Sequence, residues 1–285
     1  MSYFTSTCLA LAFVLCAIPG ISQDDLMNLL DDDTDPKVTS VFKSTRIILG
    51  HSTKLREKGE LELLISHRFG TLNSGAHELW GLDNSSVRIG LEYGVSDKLN
   101  IGIGRSSFDK SFDGFTKYKL IEQGKAPISA VAFASIAVRT TPKQEFDSTY
   151  QFKERLAYTY QLLLSRKMSP KLSLQLTPSF VYRNRPEDLT DEDQLYALGM
   201  GGRYKLTQSV ALNFEYYLRL NEEVNSTEYN SISIGVDIET GGHVFQLHLT
   251  NSTMTFERAF ITETFNNFLD GDIHFGFNIS RTFQL

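Results

Sequence analysis

The chain has 285 residues, 41% hydrophobic and 22% charged, with a formal net charge of −6. That length suits one large domain or two small ones. The acidic balance argues against a basic nucleic-acid surface, and the absence of any uninterrupted run of eighteen apolar residues argues against a helical membrane protein.

The chain opens on an apolar run from Leu9 to Ile18, too short to span a bilayer as a helix. Pro19 and then Gly20-Ile21-Ser22 follow, small residues where a signal peptidase cleaves. Residues 1–22 are therefore expected to be a signal peptide, leaving Gln23 first, although the segment has no Lys or Arg ahead of its apolar run. An N-terminal anchor or a buried helix is the alternative. Both cysteines, Cys8 and Cys16, fall inside it, so the mature chain would hold neither disulfides nor thiolate metal sites.

Residues 23–58 form the next section, an acidic periplasmic lead-in or a plug segment. Its first part, 23–40, carries six Asp against Lys37, a net of −5, so the rest of the chain is close to neutral. The run from Asp31 to Pro36 suggests calcium, but an EF-hand needs Gly at its sixth position and Glu at its twelfth, and Pro36 and Phe42 stand there. A solvated acidic linker fits better. Residues 41–50 look extended. They are read as lying outside the wall, either in the periplasm or tucked into the barrel.

From residue 59 to 285, segments of alternating polarity recur. Their approximate spans are 59–69, 84–96, 99–107, 115–122, 127–139, 151–166, 171–183, 194–206, 210–220, 229–239, 243–251 and 271–285. In the last, Ile273, Phe275, Phe277, Ile279, Phe283 and Leu285 share one face, and His274, Gly276, Asn278, Ser280, Thr282 and Gln284 the other. A period of two with one greasy face is a strand, and a chain ending on such a strand reads as the closing strand of an outer-membrane barrel. Segment 127–139 is apolar on both faces, so its register is open. Short connections near 97–98, 123–124, 169–170, 207–208 and 241–242 alternate with longer ones, as periplasmic turns alternate with external loops. The reading is an all-β, closed antiparallel transmembrane barrel of about 12 strands, with 14 as the alternative. An even count puts both the N- and C-termini in the periplasm of a Gram-negative bacterium.

The stretches Thr45-Arg-Ile-Ile-Leu-Gly-His-Ser52, Ile65-Ser-His-Arg-Phe-Gly70, Glu78-Leu-Trp-Gly-Leu-Asp83 and Ser86-Val-Arg-Ile-Gly-Leu-Glu-Tyr-Gly94 carry a resemblance, continued by Gly104-Arg-Ser-Ser107 and Asp113-Gly-Phe-Thr-Lys-Tyr-Lys119. The pattern resembles an uncharacterised Bacteroidota outer-membrane β-barrel family, a domain of unknown function. The resemblance implies a cell-envelope barrel and brings no activity. Leu285, rather than an aromatic, ends the chain, a departure from the usual signal for insertion.

Alternation points a set of charges into the lumen: Arg88, Glu92, Lys117, Lys119, Arg203, Lys205, Glu215 and Arg219, with Arg68, Arg155, Lys171, Arg183, Glu60, Glu62, Asp237 and Glu239. They are either selectivity charges or paired filler. Ten basic against six acidic residues suggest modest anion preference if the lumen is open. His248 and His274 face inward and would stand opposite each other if the loop 252–270 closes symmetrically, a weak candidate metal pair with no third ligand. No cofactor is expected. Ser66-His67 are sequence neighbours on opposite strand faces, and no Gly-x-Ser-x-Gly elbow occurs, so no catalytic constellation is found. Leu79, Trp80 and Leu82 are read as loop packing or interfacial anchoring. The expected partners are outer-membrane lipid, the barrel insertion machinery and small solutes. The favoured reading is a passive channel or small-solute transporter. A plugged structural or partner-binding barrel and an outer-membrane enzyme are the alternatives.

Overall fold

The computed structural model describes residues 41–141, 151–184, 193–221 and 227–285. They belong to one compact unit, Val38–Leu285. The expected signal peptide and acidic segment 23–40 lie outside the described residues, as does most of the acidic loop 184–193.

Among the described residues there are twelve strands: β1 (Glu60–Thr71), β2 (Ser85–Ser96), β3 (Leu99–Ser106), β4 (Phe112–Ile121), β5 (Ser129–Val138), β6 (Leu156–Lys167), β7 (Leu172–Arg183), β8 (Gln194–Lys205), β9 (Val210–Arg219), β10 (Ser231–Thr240), β11 (His243–Thr250) and β12 (His274–Gln284). Each pairs antiparallel with its sequence neighbours. β12 returns to β1, in register from Glu60↔Gln284 to Arg68↔Gly276, so the sheet closes and has no free edge. Closure is what lets a sheet cross a bilayer, because every strand then satisfies its backbone against a neighbour.

The two faces have opposite chemistry. Ile89, Ile103, Leu176, Phe214, Ile234 and Leu247 stand exposed on the outside. Ser66, Asn100, Thr159, Gln175, Asn213, Gln246 and Asn278 are buried inside. Such an inversion suits a wall with lipid outside. Aromatic side chains gather at both ends of that outer face. Tyr93, Tyr118, Tyr204 and Phe283 lie toward the short turns. Toward the long loops Tyr158 stacks with Tyr182, Phe69 with Phe275 and His67 with Phe277. Arg281, the one break in the apolar face of β12, lays its guanidinium over the Phe283 ring at 4.9 Å.

Four expectations need correction. The connection β3–β4 (107–111) is shorter than β4–β5 (122–128), so the alternation of short turns and long loops has one inversion. Within the 122–128 turn Gln123 and Ala126 form a bridge of their own. β4 begins at Phe112 rather than near 115, because Phe112, Asp113 and Gly114 still pair with Arg105, Gly104 and Ile103. β6 begins at Leu156, since Gln151 and Glu154 form a capping box that folds Phe152–Arg155 into a 3-10 turn. Arg155 therefore lies off the wall, and Lys171 is an exposed turn residue before β7.

Candidate functional site: the lumen

Residues 41–58 do not continue the wall. They double back on themselves, with Ile47 N–H donating to Gly50 O at 2.9 Å, Ser52 N–H to Thr45 O at 2.9 Å and a bridge between Arg46 and His51. The result is an irregular hairpin inserted from the short-turn end. Its two legs meet wall residues at that end: Ser173 Oγ donates to Val41 O at 2.7 Å, and Arg56 Nη1 to Thr282 Oγ1 at 2.9 Å. Its tip reaches the middle of the strands, where Gln246 Nε2 donates to Ile47 O and Asn278 Nδ2 to Ile48 O. The Glu215 carboxylate accepts from the backbone N–H of Leu49 at 2.7 Å and of Gly50 at 3.0 Å. A Cβ on Gly50 would collide with the Tyr217 hydroxyl, so only glycine permits this approach.

The connection between β11 and β12 fills the other half. Instead of projecting outward it folds in, and its short helix α1 (Glu257–Thr262) is buried along its whole length. Met254, Phe256, Ala259, Phe260 and Ile261 join Ile47, Ile48 and Leu49 of the hairpin in one apolar cluster with Val181, Leu195, Ala197 and Tyr217 of the wall. Phe260 meets Tyr217 edge-on at 4.9 Å. A second cluster seats Leu55 of the hairpin on Phe115, Val131, Phe133 and Leu163. This explains why β5 is apolar on both faces: its inner face receives the hairpin.

The two inserted segments meet at a charge pair. Arg46 Nη1 lies 2.8 Å from Glu257 Oε1, and both side chains are buried. His51 Nε2 stands 3.5 Å from the same oxygen, its ring against Phe115 and Phe133. Burial, then the Arg46 charge, holds the His51 imidazole well below its usual titration range. Burial also pushes the Glu257 carboxyl up, opposed by Arg46. His51 is thus neutral at pH 7 and adds no salt bridge of its own.

Arg155 and Lys171 aside, several of the charges that alternation points inward lie on the lumen side as pairs rather than rings. Arg88 holds Asp113 with two hydrogen bonds, Nε to Oδ1 at 2.8 Å and Nη2 to Oδ2 at 2.5 Å. Asp113 lies ahead of the strand start near 115 that alternation alone gives, and the three extra residues of β4 carry it to Arg88. Glu92 accepts from Asn100 Nδ2 at 2.8 Å and faces Lys117 Nζ at 3.5 Å. Arg203 spans Asp237 at 3.6 Å and Glu239 at 2.6 Å, and Arg219 approaches Glu228 at 3.7 Å. Lys119 and Lys205 share the inward face but lie at the short-turn rim, Lys119 beside Glu122 at 3.3 Å. A cavity of 390 Å³ remains at that rim, between the hairpin and the wall, lined by Lys54, Arg56, Asp97, Lys119 and Ser129.

His248 and His274 are both buried, but they are not opposite each other. β11 pairs His248 with Gly276 and Thr250 with His274, an offset of two residues. His274 is occupied by Asn266 Nδ2 and Phe69 O, each at 2.9 Å. Among the described residues no three His, Cys, Asp or Glu side chains cluster as metal ligands. Ser66 faces inward, while His67 is outside, parallel to Phe277 at 5.0 Å.

A closed twelve-stranded wall, apolar without and polar within, defines a membrane β-barrel. The chain belongs to the family described as a membrane-bound beta barrel domain (DUF5777), which matches residues 42–283 and so includes the hairpin. Its fold is similar to that of an outer membrane channel from Pseudomonas putida F1, with a TM-score of 0.52 at 11% identity over 81% of this chain and 97% of that one. It is also similar to the NanC porin, with a TM-score of 0.50 at 10% identity over 79% of this chain and all of the other. No curated protein matches.

Proposed function

We propose that the protein is an outer-membrane channel for small solutes, with both termini and the short turns in the periplasm, closed here by the hairpin 41–58 and opened by its withdrawal. One observation carries this reading: beside its apolar contacts, the hairpin is held to the wall by a series of hydroxyl and amide side chains. Ser165, Ser173, Gln175, Gln246 and Asn278 hydrogen-bond the hairpin directly. Water can replace such bonds, each of which is worth only about 1 kcal/mol net. The tunnel left behind would be wettable. The β11–β12 loop differs, because it is joined at both ends to adjacent strands of the wall and is held there by Arg139 beside Glu263 at 3.2 Å as well as by its apolar cluster. It is the fixed constriction, and the hairpin is the stopper seated against it through Arg46–Glu257.

The experiment is conductance across a planar bilayer, comparing the intact protein with a variant lacking residues 41–58. Expected is a nearly silent intact protein and steady conductance from the variant. Silence from a correctly folded variant would favour the plugged structural barrel instead. Steady conductance from the intact protein would mean that the hairpin does not close the lumen.

A further inference from the structure

We infer that the loop after β1 is a membrane anchor, seating Leu79, Trp80 and Leu82 among the lipid headgroups at the long-loop end of the barrel. All three side chains are exposed, Trp80 by 56%. They are not loose. Gly81 packs so closely on Gly70 at the end of β1 that a Cβ would strike its carbonyl, and its φ of +87° is one that glycine accepts. Trp80 N–H donates to Gly75 O at 2.8 Å. Leu79 and Trp80 themselves adopt φ of 46° and 53°, a left-handed conformation that residues with a Cβ avoid. The loop thus holds strained backbone while leaving its largest apolar side chains uncovered.

Lipid is the occupant because this crest continues a lipid-facing surface. The outer face of β1 and β12 just below carries the stacked pairs His67–Phe277 and Phe69–Phe275. The neighbouring β11–β12 loop is tied to the same place by Asn73 Nδ2 donating to Asp272 Oδ1 at 2.6 Å and Leu72 N–H to Ile273 O at 2.8 Å. It exposes Phe265 and Leu269 beside it, Leu269 almost entirely. Tryptophan in particular favours the headgroup region, where its ring is half in hydrocarbon and its N–H is wet.

Trp80 is the only tryptophan in the chain, so intrinsic fluorescence reports on this loop alone. The full-length protein is reconstituted into phosphatidylcholine vesicles carrying bromine either near the glycerol end or near the methyl end of the acyl chain. Expected is blue-shifted emission, loss of most of it with the shallow bromines, less loss with the deep ones, and weak quenching by aqueous iodide. The double substitution Leu79→Ser with Leu82→Ser should restore iodide quenching while the barrel keeps its folded gel mobility. Free access to iodide with no bromolipid quenching would overturn the inference in favour of a solvent-exposed or soluble-partner surface. Protection from both quenchers that depends on protein-to-lipid ratio would overturn it in favour of contact between two copies.

Discussion

At the scale of single residues, His51 decides how the closed lumen responds to acid. Its ring sits among Phe115, Phe133, Arg46 and Glu257, with Lys117 and Arg88 adding positive charge nearby. In the closed state its titration is pushed well down. Withdrawn into water it returns to the ordinary value of about 6.5. A proton therefore binds the open state more tightly, and by linkage acidification favours opening as pH falls through that open-state value. Glu257 works the other way: burial raises its carboxyl in the closed state, so closure regains ground as pH falls from that raised value into the usual carboxylate range. The expected bilayer result is an open probability that rises between about pH 7 and pH 5, in the span of an ordinary histidine. His51→Phe, which keeps the aromatic packing, should flatten the rise. A pH response identical in that variant would sink the assignment. Alternation could place lumen residues of the wall, but it was silent on His51, because no period of two runs through 41–58.

At the scale of elements, the strands were legible because both causes of alternation act on every residue. Lipid selects one face and the lumen the other. β12 is the clearest case: His274, Gly276, Asn278 and Ser280 are buried, while Phe275, Phe277 and Ile279 turn outward, as the sequence pattern requires. Legibility failed where a third environment intruded. β5 looked ambiguous because the hairpin makes its inner face apolar. The segment expected as a strand from 151 enters the wall only at Leu156, because a capping box governs Phe152–Arg155. The inward fold of the β11–β12 loop carried no periodic signal, although Met254, Phe256, Phe260 and Ile261 make it far greasier than an external loop needs to be. The register of β12 yields a direct test. Phe283 is opposite Leu61 on the outer face and Gln284 opposite Glu60 on the other. Phe283→Asp should lower the amount inserted in membranes below that of Gln284→Asp, because a charge facing lipid is costly (~2–4 kcal/mol for Lys or Arg at mid-depth, less for Asp and less near the interface) and one facing the lumen costs less. Equal membrane levels of the two variants would contradict the register.

At the scale of the molecule, the hairpin and the wall are electrical complements. Residues 41–58 carry Lys43, Arg46, Lys54, Arg56 and Lys58 against Glu57 alone. The groups they meet in the lumen are acids: Lys43 approaches Glu239 at 3.9 Å, Arg56 approaches Glu62 at 3.8 Å, and Arg46 pairs with Glu257. Glu215 also accepts hydrogen bonds from hairpin backbone N–H groups, and Glu62 from the Thr45 hydroxyl at 2.6 Å. The count of inward charges suggested a basic lumen and anion preference. That count included Arg155 and Lys171, which lie off the wall, and omitted Asp113. It also could not register that withdrawing the hairpin removes positive charge from the lumen. A cleared lumen leaves Glu62, Glu215 and Glu257 facing the constriction, while Arg88 and Lys117 stay matched to Asp113 and Glu92. Acids at a narrow, low-dielectric passage favour cations. The variant lacking residues 41–58 should therefore show a salt-gradient reversal potential of cationic sign, reduced by Glu215→Gln, which removes a charge at mid-strand. An anionic sign would show instead that Arg68, which among the described residues hydrogen-bonds Asn278 and two carbonyls but no carboxylate, governs the field of the open lumen.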